Sequence, residues 1–343
     1  MPQDISIKCY LDHYTHLPLI DVRSPGEYEK GHIPTAINIP LFSNEERAHV
    51  GTVYKQESQA AAIDLGYTYV NPKLQWFIDE AGRAAPDKNI VIHCWRGGMR
   101  SHAFAQHLKD NRFKQVYVIE KGYKAYRHEA QNNFDKGQLV ILGGYTGSGK
   151  THILHCLQEA GHQVLDLEGL AAHKGSAFGN IGMPAQPTTE QFENDLYWQW
   201  RQFDFQRPIW LEDESPNIGD VNIPMHLFQK MRQSPLLFIE ISKEERARLL
   251  VKDYVLGDKD KLANAIQRIA KRLGYDKAQQ ALRLLDENNY YEVAMLTLGY
   301  YDKYYKRGIE KRETSDIRFI TMNNTDAKQN AQALIKTLNE QHV

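Results

Sequence analysis

Two short stretches hold the residues best able to do chemistry. The first, VIHCWRGGMRS from Val91 to Ser101, ends an apolar run with a cysteine, follows it with a tryptophan and two glycines, and brackets the loop with Arg96 and Arg100. A thiol at the end of a strand, just before a helix begins, lies where backbone N–H groups and the helix dipole converge. That field favours the thiolate. Gly97 and Gly98 allow the loop to close with its N–H groups inward, and Arg100 adds a bidentate grip on a tetrahedral oxyanion. Cys94 is thus expected to be a nucleophile, and Trp95, Arg96, Gly97, Gly98, Met99, Arg100 and Ser101 the loop that holds an anion beside it. A merely packed cysteine would want apolar neighbours rather than these polar ones. Cys156, on a helical pattern beside Leu157, is assigned to packing, and Cys9 is left unassigned.

The second stretch, GGYTGSGKT, matches G-x-x-x-x-G-K-[ST] across Gly144, Tyr145, Thr146, Gly147, Ser148, Gly149, Lys150 and Thr151. It follows the strand pattern QLVILGGY and precedes the helical pattern THILHCLQEAG, the context a phosphate-binding loop requires. Its N–H groups would wrap a di- or triphosphate, Lys150 would reach the terminal phosphates, and Thr151 could ligate Mg²⁺. A metal-facing acid should end another strand, and IWLEDES offers Glu212, Asp213 and Glu214, of which Glu212 and Asp213 are the candidates. Between these motifs, Leu167 to Gly182 has no apolar period; it reads as a loop near the phosphates or a flexible lid. In YYDKYYKRGIEKR, Lys303, Lys306, Arg307, Lys311 and Arg312 sit among tyrosines and are candidates for contact with nucleic-acid phosphates, although tyrosines at helical spacing are more often packing.

Placing these motifs requires strands that alternate with helices. Strand patterns fall near Leu19, over Ile33–Ile39, Asn89–Cys94 and Gln115–Glu120, then over Gln138–Tyr145, Gln163–Glu168, Arg207–Glu214, Pro235–Ser242 and Asp316–Met322. Alternation of this kind means α/β architecture with parallel sheets. The apolar-poor segment Tyr123–Lys136 is taken as the boundary between a domain over 1–130 and a P-loop domain over 137–343, the latter carrying a helical insertion at about 243–312. With 343 residues the chain can bury two cores. Hydrophobic residues at 42% and charged ones at 25% are globular values. Three distant cysteines suit a reducing compartment. No apolar run is long enough to span a bilayer and no signal pattern opens the chain, so a soluble cytoplasmic protein with no membrane partner is expected. A net charge of −1 neither demands nor excludes nucleic acid.

DVRSPGEYEKGHIPTAINIP, followed some way on by a strand-borne cysteine, resembles a rhodanese domain. The resemblance departs at the loop, since common sulfurtransferases run Cys-x4-Arg whereas Cys94 and Arg100 are separated by five residues, as in cysteine phosphatases. A rhodanese-like domain fused to a P-loop domain, with HCWRGGMRS, GGYTGSGKT, DLEGLAAHKGSAFG and WLEDES, resembles the tRNA 2-selenouridine synthase family across nearly the whole chain. That resemblance implies a transferase that replaces the sulfur of 2-thiouridine at the tRNA wobble position by selenium. It implies selenophosphate as donor and an S-geranylated intermediate made from geranyl diphosphate, both as co-substrates, with no tightly bound cofactor. The enzyme that makes selenophosphate is an expected partner. Two other readings stay open: a cysteine phosphatase-like domain fused to a P-loop kinase, and a degenerate binding module driven by an ATP switch.

Overall fold

The computed structural model describes residues 1–254, 259–310, 312 and 316–339. It divides into two compact units, Met1–Asn132 and Asn133–Val343. Each is built on its own five-stranded parallel sheet.

In the first unit, β1 (Gln3–Ile5), β2 (Leu19–Asp21), β3 (Ile37–Asn38), β4 (Asn89–His93) and β5 (Gln115–Ile119) pair in the order β1-β5-β4-β2-β3. The helices are α1 (Ile7–Cys9), α2 (Pro25–Lys30), α3 (Asn44–Gln56), α4 (Gln59–Val70), α5 (Leu74–Ala84), α6 (Met99–Asp110) and α7 (Gly122–Asn132). β4 is apolar without alternation because helices cover both of its faces, and Ile90, Val91 and Ile92 are all fully buried. The core around it takes Phe77 from α5 and Phe104 from α6, whose rings meet edge to face at 5.4 Å. The strand expected over Ile33–Ile39 shortens to β3, since Pro34 cannot donate to a ladder and Thr35 turns at φ +73°.

The second unit contains β6 (Leu139–Gly144), β7 (Gln163–Val164), β8 (Ile209–Glu212), a small antiparallel hairpin of β9 (Asn217–Ile218) and β10 (Val221–Asn222), β11 (Leu236–Glu240) and β12 (Ile317–Thr321). The sheet order β12-β11-β6-β8-β7 puts β6 at the centre. Its helices are α8 (Lys150–Glu159), α9 (Leu167–Ala171), α10 (Thr189–Trp200), α11 (Met225–Gln233), α12 (Lys243–Tyr254), α13 (Lys259–Leu273), α14 (Tyr275–Asp286), α15 (Tyr290–Glu310) and α16 (Ala327–Asn339). The segment read as one helical insertion is thus four helices, α12 to α15, with an apolar core of its own that includes Leu262, Ile266, Leu285 and Val293.

Tyr123–Lys136, taken as the boundary segment, carries α7 over its first ten residues, a helix that buries Tyr123, Tyr126 and Ala130 on one face. One strand expectation fails for a local reason. Gln163–Glu168 is not one strand, because the Asp166 side chain accepts from Gly169 N at 2.8 Å and caps α9, ending β7 early. No helix among the described residues is long and apolar enough to cross a membrane.

Candidate functional site

Cys94 follows the last residue of β4 and is 3% exposed. Burial alone would push its thiol up. The Ser101 hydroxyl at 3.3 Å, the Arg100 charge and the backbone N–H groups of Arg96 and Gly98 outweigh that, and the pKa lies below the ordinary thiol value. Sequence position thus translates into a stabilised thiolate. Ser101 is fully buried and also bonds Gly98 O at 3.0 Å, which ties the start of α6 to its loop. Arg96, Gly98 and Met99 are exposed, while Trp95, Gly97 and Arg100 are half-buried.

The loop's curvature comes from outside it. Gly97 has φ +60°, and a Cβ there would come within 2.3 Å of Ile119 O. Gly122 has φ +52°, and a Cβ there would stand 2.2 Å from Cys94 O. Only glycine fits either position. In return, Tyr123 N donates to Cys94 O at 2.9 Å and Lys124 N to Trp95 O at 3.0 Å. Helix α7, which lies in the segment taken as the domain boundary, is therefore the clamp on the cysteine loop. Its signal was Lys121-Gly122-Tyr123 directly after a strand.

Beneath the loop, Arg23 is fully buried, bonds Asp21 at 2.6 Å and Gly31 O at 2.7 Å, and lies 3.8 Å over the Tyr123 ring. His93 is also fully buried, 3.7 Å from Asp21, and its burial holds the imidazole below its usual pKa. Glu27 reaches Arg100 at 3.3 Å and Arg47 at 3.4 Å while capping α2 through Ser24. Glu27 is therefore the carboxylate that aims Arg100, a role no motif announced.

In the second unit, Gly144 ends β6, Tyr145, Thr146, Gly147, Ser148 and Gly149 form the loop, and Lys150 and Thr151 open α8. Lys150 bonds Gly144 O at 3.3 Å. Burial opposes its charge, but Tyr305 and the carboxylates Glu212, Glu168 and Glu214 hold the ammonium above its usual pKa. Its Nζ lies 5.6 Å from the centre of the Tyr305 ring, whose hydroxyl is pushed up to about 12: Lys150 pulls it down, while burial and the nearby carboxylates Glu214, Asp213 and Glu168 raise it more.

Glu168, Glu212 and Glu214 bring carboxylate oxygens within 4.8 Å of one another. Burial first, then mutual repulsion, pushes Glu168 up to about 9 and Glu214 up to about 8, and burial also raises Glu212. Thr151 donates to Glu168 at 2.9 Å. Both oxygens of Glu212 are buried without a hydrogen-bond partner, and such groups are costly unless a ligand completes them. Oxygen donors of this kind, with the Thr151 hydroxyl alongside, fit a divalent cation such as Mg²⁺. Gly175, at φ +62°, lets the following loop close on the cluster, since a Cβ there would come within 2.8 Å of both Glu168 and Glu214.

Three expectations are corrected by this geometry. Asp213 is not the metal-facing acid: it pairs with Arg312 and lies 3.8 Å from Arg232. Strand alternation sends it to the other side from Glu212 and Glu214. Glu168, unassigned from sequence, joins them instead, because α9 starts where a strand was expected to run on. Arg312 is no nucleic-acid contact, for its side chain is fully buried between Asp213 and Met231 O. Lys303, Lys306 and Arg307 are exposed on α15; Lys311 lies outside the described residues. Finally, the loop after α9 is not a loose flap. Lys174 N bonds Gly179 O at 2.9 Å and Ala177 N bonds the Tyr301 hydroxyl at 3.2 Å.

Comparison with known proteins agrees with the two units. The family described as tRNA 2-selenouridine synthase AAA domain matches residues 137–338, and the rhodanese-like domain family matches residues 8–129. A tRNA 2-selenouridine synthase of Nitrosomonas europaea is 32% identical, covering 87% of this chain and 90% of that protein. One from Marinobacter nauticus is 36% identical, covering 87% and 89%. One from Pseudomonas putida is 36% identical, covering 79% and 81%.

Proposed function

The chain belongs to the tRNA 2-selenouridine synthase family, and from that premise we propose that it replaces the sulfur of 2-thiouridine at the tRNA wobble position by selenium in two steps, one per unit. The observation that carries this reading is the presence of two chemically different anion cradles. One holds a stabilised thiolate beside Arg100; the other holds a charged Lys150 beside three carboxylates.

On this reading the P-loop takes geranyl diphosphate. The thiouridine sulfur attacks the first carbon of the chain, the C–O bond breaks, the diphosphate leaves with the bonding electrons, and the base gives up its N3 proton to solvent. Lys150 and the loop N–H groups stabilise the charge that develops on it. When bound at Glu168, Glu212, Glu214 and Thr151, a divalent cation would supply Lewis-acid neutralisation of that same diphosphate. The S-alkyl group turns sulfur into a better leaving group, so the first step prepares the second. Selenophosphate then occupies the Cys94 loop, where its tetrahedral shape fits the five-residue spacing between Cys94 and Arg100. Arg100, aimed by Glu27, grips its oxygens while the Cys94 thiolate attacks phosphorus and the P–Se bond breaks. The selenide released adds to C2 of the S-geranylated base, the C–S bond breaks and geranylthiol leaves, and water then cleaves the S–P bond to free Cys94 and phosphate. Lys303, Lys306 and Arg307 meet tRNA phosphates.

Incubating the protein with 2-thiouridine tRNA, geranyl diphosphate and selenophosphate, followed by mass analysis of the nucleosides, tests this directly. Appearance of 2-selenouridine supports the reading. Unchanged nucleosides, with release of phosphate from a phosphomonoester instead, would favour a cysteine phosphatase fused to a kinase.

A further inference from the structure

Two arginines, not one, converge beside the Cys94 loop. Glu27 Oε2 accepts from Arg100 Nη1 at 3.3 Å and stands 3.4 Å from Arg47 Nε. The two nitrogens therefore lie within about 7 Å of each other, a span that one tetrahedral oxyanion bridges with a hydrogen bond at each end. Arg47 comes from α3, and the chemistry assigned to the loop makes no use of it.

Its position is built rather than incidental. The Ser43 hydroxyl accepts from Glu46 N at 3.2 Å and caps α3, and Lys73 holds Glu46 at 2.6 Å. Asn44 Oδ1 accepts from Gly26 N at 2.8 Å, which joins the first turn of α3 to the first turn of α2, where Glu27 sits. One helical turn after Arg47, Gly51 leaves room for the guanidinium, since a Cβ there would come within 2.7 Å of Arg47 Nη1. Glycine inside a helix is unfavourable relative to alanine, so this room is kept at a cost to the helix. The Arg47 Nε–H, though near the Glu27 carboxylate, is buried without a hydrogen-bond partner, and a donor of that kind is completed by an acceptor. Arg23 is not available for the task, because it is fully buried with its Nε and Nη2 taken by Asp21 and Gly31 O. One guanidinium beside a thiolate does not balance the charge of a phosphate-type anion; a second offsets the repulsion.

We propose that Arg47 is a second binding residue for the donor anion of the Cys94 loop, sharing the anion's oxygens with Arg100 while Glu27 holds both guanidinium groups in place. The proposal rests on the reading of that loop as the seat of a phosphate-type donor, and the experiment separates the two. Inorganic phosphate is titrated against the full chain, and its occupancy is read as protection of Cys94 from iodoacetamide, by mass on the Cys94 peptide. Arg47→Ala should raise the half-protecting concentration roughly tenfold or more, the loss of one charge-assisted hydrogen bond. Arg47→Lys, which keeps the charge without the fork, should recover only part of it. Gly51→Ala should also weaken protection, by pushing Nη1 aside, while its melt stays as high as wild type or rises. Without phosphate, the pH inflection of Cys94 alkylation should be the same in all three variants. An inflection that moves along with the protection would overturn the proposal, showing that Arg47 acts only by propping Arg100 through Glu27. Unchanged protection in Arg47→Ala would also overturn it while leaving the anion reading of the loop standing; weakened tRNA binding in that variant would then put Arg47 against the nucleic-acid backbone instead. Failure of phosphate to protect the wild-type thiol would overturn the anion reading and the proposal with it.

Discussion

Replacing Ser101 by alanine removes the hydroxyl that stands 3.3 Å from Cys94 Sγ, and with it the bond to Gly98 O at 3.0 Å, while leaving the buried space filled. A hydrogen bond to a charged group is worth about 1.5–3 kcal/mol, and each pKa unit corresponds to about 1.36 kcal/mol. The Cys94 pKa should therefore rise by about one to two units, and its thiolate fraction near neutral pH should fall roughly tenfold or more. The lowered native pKa gives the sign: wild-type Cys94 stays reactive below the ordinary thiol range and the variant loses that part of the profile. Alkylation by iodoacetamide across a pH series, read by mass on the Cys94 peptide, keeps the half-buried Cys9 and Cys156 out of the signal. Ser101→Thr, which retains the hydroxyl, should stay near wild type. An inflection at the wild-type pH with only a lower plateau would show that Ser101 spaces the loop without acting on charge, and the electrostatic reasoning would fail.

Other consequences are as direct. Gly122→Ala must relieve a Cβ that would lie 2.2 Å from Cys94 O at φ +52°, so the first unit should lose at least about 1–2 kcal/mol from backbone strain alone and the Cys94 inflection should move up; an unchanged melt with an unchanged inflection would deny the clamp. With Glu168 held near 9 and Glu214 near 8, a cation must displace protons at neutral pH, so magnesium should bind more tightly as pH rises toward 9 and release protons in calorimetry; their raised folded pKa values also mean that the metal-free protein loses stability as pH climbs from about 4.5 through 9. Magnesium affinity flat across that range would count against the carboxylate site. Lys306→Glu and Arg307→Glu should weaken tRNA binding and flatten its salt dependence, by about one unit of slope per lost phosphate contact. Arg312→Ala should instead cost about 1–3 kcal/mol of stability by leaving Asp213 only its longer contact with Arg232, and an Arg312→Ala protein that melts normally but binds tRNA poorly would reverse that assignment.

Both cradles were legible in the sequence because each depends on a local pattern: a strand, a glycine-bearing turn and a helix start within about ten residues. The central strands β4 and β6 were legible for the same reason, as uninterrupted apolar runs need no distant partner to be recognised. What escaped were arrangements made by chain-distant contacts. Glu27 reaches Arg100 across 73 positions, and Glu168 joins Glu212 and Glu214 only because Asp166 ends β7 with a helix cap. Gly122 was assigned no role, and its part follows only from the approach of Cys94 O. Arg312 read as a basic tail residue, and nothing local reveals that Asp213 and Met231 enclose it.

The division of labour between the two units is tested most directly by giving variants both forms of the substrate. Lys150→Ala and Cys94→Ala proteins are each incubated with selenophosphate and geranyl diphosphate, once with 2-thiouridine tRNA and once with tRNA already S-geranylated, and the nucleosides are counted by mass. Lys150→Ala should make neither geranylated nor selenated nucleoside from 2-thiouridine tRNA, yet should selenate the geranylated form. Cys94→Ala should accumulate geranylated tRNA and selenate neither. Failure of Lys150→Ala on pre-geranylated tRNA, or a normal selenouridine yield from Cys94→Ala, would contradict the account.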